Sequence, residues 1–156
     1  MPLVALVLFV SLGLVALQKP HAPAVTFTTL SGEKISMASL RGKTVLVNFW
    51  ATDCPGCIKE MPALIDTYQQ FKDQGFVVIA IAMPYDPPAQ VLNYTQEKRL
   101  PFAVMHDGYG EMVKAFGNVN LTPTAFLYDA QGRQIQKTIG ELDFNALRRQ
   151  LSQKAS

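Results

Sequence analysis

Apolar residues fall along this chain in two rhythms, one of strands and one of helices. Residues 44–50 (Thr-Val-Leu-Val-Asn-Phe-Trp) form a nearly unbroken β-branched and aromatic run, and residues 76–83 (Phe-Val-Val-Ile-Ala-Ile-Ala-Met) form another, stopped by Pro84. Runs of this length predict strands buried on both faces. Between them, Ile58, Met61, Leu64, Ile65, Tyr68 and Phe71 recur at three- and four-residue spacing. That is one apolar stripe of a helix, and Gln74-Gly75 ends it. Two buried strands joined through a helix run parallel with a right-handed crossover.

The flanking segments are shorter. Residues 25–29 alternate as a strand, a Ser31-Gly32-Glu33 turn follows, and 34–37 return as a hairpin partner. Residues 88–98 read as a helix opened by proline, 102–105 as a short strand and 110–116 as a short helix closed by Gly117. Residues 124–128 and 134–139 read as an antiparallel pair around an Asp129-Ala-Gln-Gly132 turn. Residues 143–153 form a closing helix with Asp143 placed to cap it. The order predicts an α/β domain, a central mixed β-sheet flanked by helices, with an N-terminal β-hairpin extension.

Residues 3–17 (Leu-Val-Ala-Leu-Val-Leu-Phe-Val-Ser-Leu-Gly-Leu-Val-Ala-Leu) break the amphipathic pattern, being apolar on all sides. A core helix normally keeps a polar face, so this reads as a membrane anchor or signal segment, a little short of the ~20 residues that span a bilayer comfortably. The predicted organisation is an anchor or signal segment at 1–18, a linker at 19–24 and one domain at 25–156, with the domain exported. Composition adds exclusions. A hydrophobic fraction of 49% rules out a wholly disordered chain. A net charge of +2 without a long basic run argues against nucleic acid as a partner. Two cysteines cannot build a multi-bridge scaffold or a four-cysteine zinc or iron–sulfur site.

Those two cysteines carry the chemistry. Trp50-Ala-Thr-Asp-Cys54-Pro55-Gly56-Cys57 sits where a buried strand ends and a long helix begins. A sulfur at a helix N-terminus meets unpaired backbone N–H groups and the positive end of the dipole, so a Cys54 thiolate is stabilised and is the nucleophile. Cys57, one turn on along the same face, can resolve a mixed disulfide and should be the more buried thiol. A purely stabilising disulfide is the competing reading, but closing so short a loop removes little unfolded-state entropy. A metal half-site is another; zinc wants four ligands, and His21 and His106 have no tight spacing to the cysteines.

Residues 45–57, followed by Lys59-Glu60-Met61-Pro62, resemble the active site of thioredoxin-fold proteins, in particular the exported, membrane-anchored branch containing TlpA, ResA and CcmG (DsbE). Leu121-Thr122-Pro123-Thr124 resembles that family's cis-proline loop. The resemblance implies a thioredoxin-like fold, a cis Thr122–Pro123 peptide beside the sulfurs, and an open backbone edge for a client chain. It implies a thiol:disulfide oxidoreductase at the outer face of the bacterial inner membrane or in the periplasm. No cofactor is needed beyond a redox-active Cys54–Cys57 disulfide. The implied partners are a membrane electron donor of the DsbD/CcdA type and a protein client, apocytochrome c or metal-site thiols, served by a monomer.

The sequence also departs from the family. Asp53 stands where this branch commonly has Trp; beside Cys54 it disfavours the thiolate, or else faces solvent and serves partner selection. Together with Trp50, Pro55 and Gly56 it is read as site wall or tuning of the thiols. Asn48 replaces the buried acid of cytoplasmic thioredoxins, and no glutamate follows the next strand. Tyr85 and Asp86 are the substitute candidates for proton relay there, against an exposed loop. Two other functions compete. A thiol peroxidase needs Thr or Ser three residues before the reactive cysteine, where Ala51 stands and Thr52 is displaced by one. A copper-delivery module would use methionines, but Met61, Met83 and Met105 fall on predicted core faces.

Overall fold

The protein is described here by a computed structural model over residues 19–154; the apolar segment 3–17, with the anchor expected there, lies outside the described residues. Among the described residues, no helix is long and apolar enough to cross a membrane.

Strands β1 (Thr26–Thr28) and β2 (Lys34–Ser36) pair antiparallel. Then come β3 (Thr44–Trp50), helix α1 (Pro55–Phe71), β4 (Phe76–Ala82), α2 (Pro88–Glu97), β5 (Ala103–His106), α3 (Glu111–Ala115), β6 (Thr124–Tyr128), β7 (Gln134–Ile139) and α4 (Phe144–Lys154). The main sheet has five strands in the order β5-β4-β3-β6-β7. Its β3–β4 and β4–β5 pairs are parallel, and its β3–β6 and β6–β7 pairs antiparallel. This is the mixed, helix-flanked α/β sheet that the order of elements predicts.

β3 lies at the centre with neighbours on both edges, and every residue of it after Thr44 is buried. Successive side chains point to opposite faces. Leu46 and Trp50 join Cys57, Met61 and Leu64 of α1 and Leu147 and Leu151 of α4 in one core layer. Val45, Val47 and Phe49 join Phe27, Ile81, Phe116, Phe126 and Tyr128 in the layer on the other face. Two packed layers need a strand apolar on both sides, which is why β3 and β4 read as continuous runs. Asn48 is the exception: a fully buried amide on the α1 face.

Two local features escape the periodicity. A 3-10 turn at Met37–Leu40 is too short to show a stripe, yet it buries both terminal side chains. The α1 helix stops at Phe71 and tightens into a 3-10 turn over Lys72–Gln74, closed by Gly75 at φ 81°. Glycine takes this left-handed conformation at no steric cost. In α4, Asp143 Oδ1 accepts from the N–H of Ala146 at 3.0 Å, the cap the sequence predicts. Arg148 of α4 donates from Nε to Thr67 Oγ1 at 3.0 Å and docks α4 on α1. In the β6–β7 hairpin, burial opposes ionisation of Asp129. The N–H groups of Arg133 and Gln131 and the Arg133 guanidinium outweigh it and hold its carboxyl below the usual range.

Candidate active site

β3 delivers the chain to the edge of the core at Trp50, and α1 starts five residues later. Cys54 is the N-cap of that 17-residue helix, and its Sγ accepts from the N–H of Cys57 at 3.2 Å. Pro55 sits at the first helical position, where its missing N–H costs nothing. The sulfur therefore occupies the place where a helix stabilises an anion. Cys54 and Cys57 are joined as a disulfide with their Cα atoms 5.3 Å apart. Cys54 is 8% exposed and Cys57 fully buried, the order of burial the sequence predicts.

The peptide bond Thr122–Pro123 is cis. Pro123 lies against the turn between the cysteines, its Cδ 3.5 Å from where a Cβ on Gly56 would stand. Trp50 is buried in the same core layer as both sulfurs and packs on Tyr94, ring centroids 5.3 Å apart. Asp53 and Pro55 are exposed, while Thr122 and Gly56 are half-buried. The structure thus gathers Cys54, Cys57, Trp50, Pro55, Gly56 and Pro123 at one end of the sheet.

Tyr85 and Asp86 behave differently from each other. Tyr85 is largely exposed. Asp86 is 1% exposed, so the exposed-loop reading of this segment does not hold for it. Its Oδ2 accepts from the Thr52 N–H at 2.7 Å and its Oδ1 from the Thr52 hydroxyl at 2.6 Å. Its backbone carbonyl pairs with His106 Nε2 at 2.7 Å. Both carboxylate oxygens are engaged by the stretch just before Cys54. Asp86 therefore clamps the loop that presents the cysteine.

The buried acid missed in the sequence is Glu60. It is 4% exposed and lies three residues beyond Cys57 on the inner face of α1. Its Oε2 accepts from the Leu142 N–H at 3.1 Å, while Oε1 has no hydrogen-bond partner. Burial pushes its carboxyl above the ordinary value, and the nearby charge of Glu141 pushes the same way. The Leu142 N–H and the neighbouring Asn48 amide pull it back in part. Asn48 faces this carboxyl without a well-formed hydrogen bond, its amide nitrogen and oxygen both unpartnered. The available signal was a charged residue next to Met61 on the buried stripe, opposite an asparagine in a buried strand.

Residues 19–137 match the AhpC/TSA family. Over 121 residues the chain is 38% identical to the thiol-disulfide oxidoreductase ResA of Bacillus thuringiensis subsp. konkukian, covering 78% of this chain and 69% of that one. The chain belongs to this family. Solved structures agree on the fold. A candidate thioredoxin from Neisseria meningitidis superposes with a TM-score of 0.80 at 38% identity, over 88% of this chain and 90% of that one. A thiol:disulfide interchange protein of the thioredoxin family from Chlorobium tepidum gives 0.80 at 28% identity, over 89% and 98%. The chain is thus a thiol-disulfide oxidoreductase of the ResA type with a Cys54–Cys57 pair. Among the described residues, no group of three or more His, Cys, Asp or Glu side chains is placed to hold a metal.

Proposed function

We propose that this protein is an exported, membrane-tethered reductase of client disulfides, with apocytochrome c or metal-site thiols as clients. The observation that carries the reading is the pairing of a sulfur at a helix N-terminus with a buried carboxylic acid one turn behind its partner sulfur. The Cys54 thiolate attacks a client disulfide, forming a mixed disulfide and releasing one client thiolate, which takes a proton from solvent. Cys57 gives its proton to the Glu60 carboxylate and attacks Cys54 Sγ. The second client sulfur leaves as a thiolate and takes that proton from Glu60, which returns to its carboxylate, and the enzyme is left as the Cys54–Cys57 disulfide. Two electrons and two protons reach the client in all. A membrane dithiol donor of the DsbD/CcdA type restores the reduced form. A carboxyl held above its ordinary range is matched to proton transfer closer to neutral pH than a free glutamate.

With Pro123 against the turn between the cysteines, Thr122 and Pro123 would supply the edge on which an extended client segment pairs. Tethering and export rest on the apolar run at 3–17. The peroxidase alternative draws nothing from the geometry, because the Thr52 hydroxyl is engaged by Asp86. Copper delivery through methionine is no better served, since Met61, Met83 and Met105 are all buried.

The test is trapping. Cys57→Ser in the full chain, expressed in its exported form, should accumulate disulfide-linked clients identifiable by mass spectrometry, and Cys54→Ser should abolish them. A redox titration should fall nearer the ~−270 mV of thioredoxin than the ~−120 mV of DsbA. Identical patterns from the two cysteine variants, or a potential at the oxidising end, would defeat the proposal.

A further inference from the structure

Three consecutive residues after β7 reach three separate parts of the site. The Gly140 N–H donates to the carbonyl of Pro123 at 2.8 Å. The Leu142 N–H donates to Glu60 Oε2. Between them, Glu141 lies beside the cysteine turn, its Cγ and Oε1 3.6 Å from where a Cβ on Gly56 would stand. Its carboxylate accepts both ways from Lys59 Nζ, at 2.9 and 3.2 Å, across 82 positions of sequence. We infer that Glu141 is a positioning residue for Glu60: with Lys59 it forms a clasp that holds residues 140–142 over the buried carboxyl and governs its proton exchange with solvent. This rests on Glu60 being the proton-transfer group of the reaction proposed above.

The argument is geometric. Glu60 has one hydrogen-bond donor of good geometry, the Leu142 N–H, and that donor belongs to the clasped segment. Opening the clasp would expose Glu60 and remove its donor together. The clasp lies at the surface, with Lys59 74% and Glu141 46% exposed, so it is an ion pair that a docking client can reach. Such a pair is weak, which suits a latch. Among the described residues, the groups that act on Glu60 besides the Leu142 N–H are the Asn48 amide of β3 and the Glu141 charge of the loop. The Arg148 guanidinium of α4 is bonded further along α1, at Thr67.

The two halves of the clasp carry opposite charges, so their removal should act on Glu60 with opposite signs. In the oxidised full chain, carboxyl-carbon NMR should show the Glu60 titration midpoint moving down in Glu141→Gln, which removes a like charge. It should move up in Lys59→Met, which leaves Glu141 uncompensated. The Leu142 amide should exchange about two- to five-fold faster in both, the range an exposed ion pair supports. In Glu60→Gln, neither clasp substitution should alter the pH profile of client-disulfide reduction. Midpoints moving in the same direction, an unmoved midpoint in either variant, or unchanged Leu142 exchange would overturn the inference. Because this titration is read on the disulfide form, it stands whether or not wild-type protein reduces insulin. Failure of that assay alone sinks the oxidoreductase mechanism instead.

Discussion

Replacing Asp86 with alanine removes the carboxylate that grips the loop ahead of Cys54. The Thr52 N–H loses its acceptor at 2.7 Å, and the Thr52 hydroxyl loses the shorter of its two contacts, 2.6 Å to Asp86 Oδ1, keeping Gln90 Oε1 at 3.2 Å. Hydrogen bonds to a charged group contribute about 1.5–3 kcal/mol each, and a stranded buried donor costs more than a neutral exchange. Thr52 is half-buried, so water can replace part of the loss. The net penalty should be about 3 kcal/mol, a large share of the 5–15 kcal/mol typical of a folded domain. At a slope of ~1.5 kcal/mol/M this lowers the urea midpoint of the oxidised protein by about 2 M. The backbone contacts of residue 86, to Met83 and His106, survive the substitution and keep the comparison local. A double-mutant cycle with Thr52→Val isolates the hydroxyl contact and should show coupling of about 1 kcal/mol or more. A penalty below about 1 kcal/mol, or strict additivity of the two changes, would show that solvent holds this loop as well as Asp86 does.

Two further outcomes follow from the buried groups. The Glu60 carboxyl is raised in the folded state above its unfolded value, so the native chain holds the extra proton between the two. Stability should therefore fall as pH rises from the unfolded value of 4.5 through the folded one, and Glu60→Gln should flatten that slope in pH-resolved urea melts; an unchanged slope would refute it. Leu64 is fully buried in the layer between α1 and the sheet, so Leu64→Ala should cost about 2–5 kcal/mol and lower Tm; a loss under about 1 kcal/mol would mean that the layer collapses to fill the gap.

Much of the site was legible before folding. The bounds of β3, β6 and β7 agree with the sequence reading because strands buried on both faces, or ended by tight turns, leave unambiguous patterns. Placing Cys54 at the start of α1 required only a strand signal, a proline at the first helical position and a periodic stripe. Glu60 was harder. A glutamate beside an apolar stripe is ordinarily a solvated flank, and it is inside here because Asn48 and the 140–142 segment close over it. Asp86 was misjudged for the same reason: a loop between two prolines looks exposed until Thr52 is brought against it.

The sequence by itself determined which sulfurs react, which strands are buried and where the helix that holds Cys54 begins, since each follows from neighbours within a few residues. Tertiary structure alone decided which carboxylates are buried and what they grip. The Thr52–Asp86 contact spans 34 positions and the Lys59–Glu141 and Glu60–Leu142 contacts 82. Burial of a charge depends on the surface that covers it, and that surface comes from distant parts of the chain.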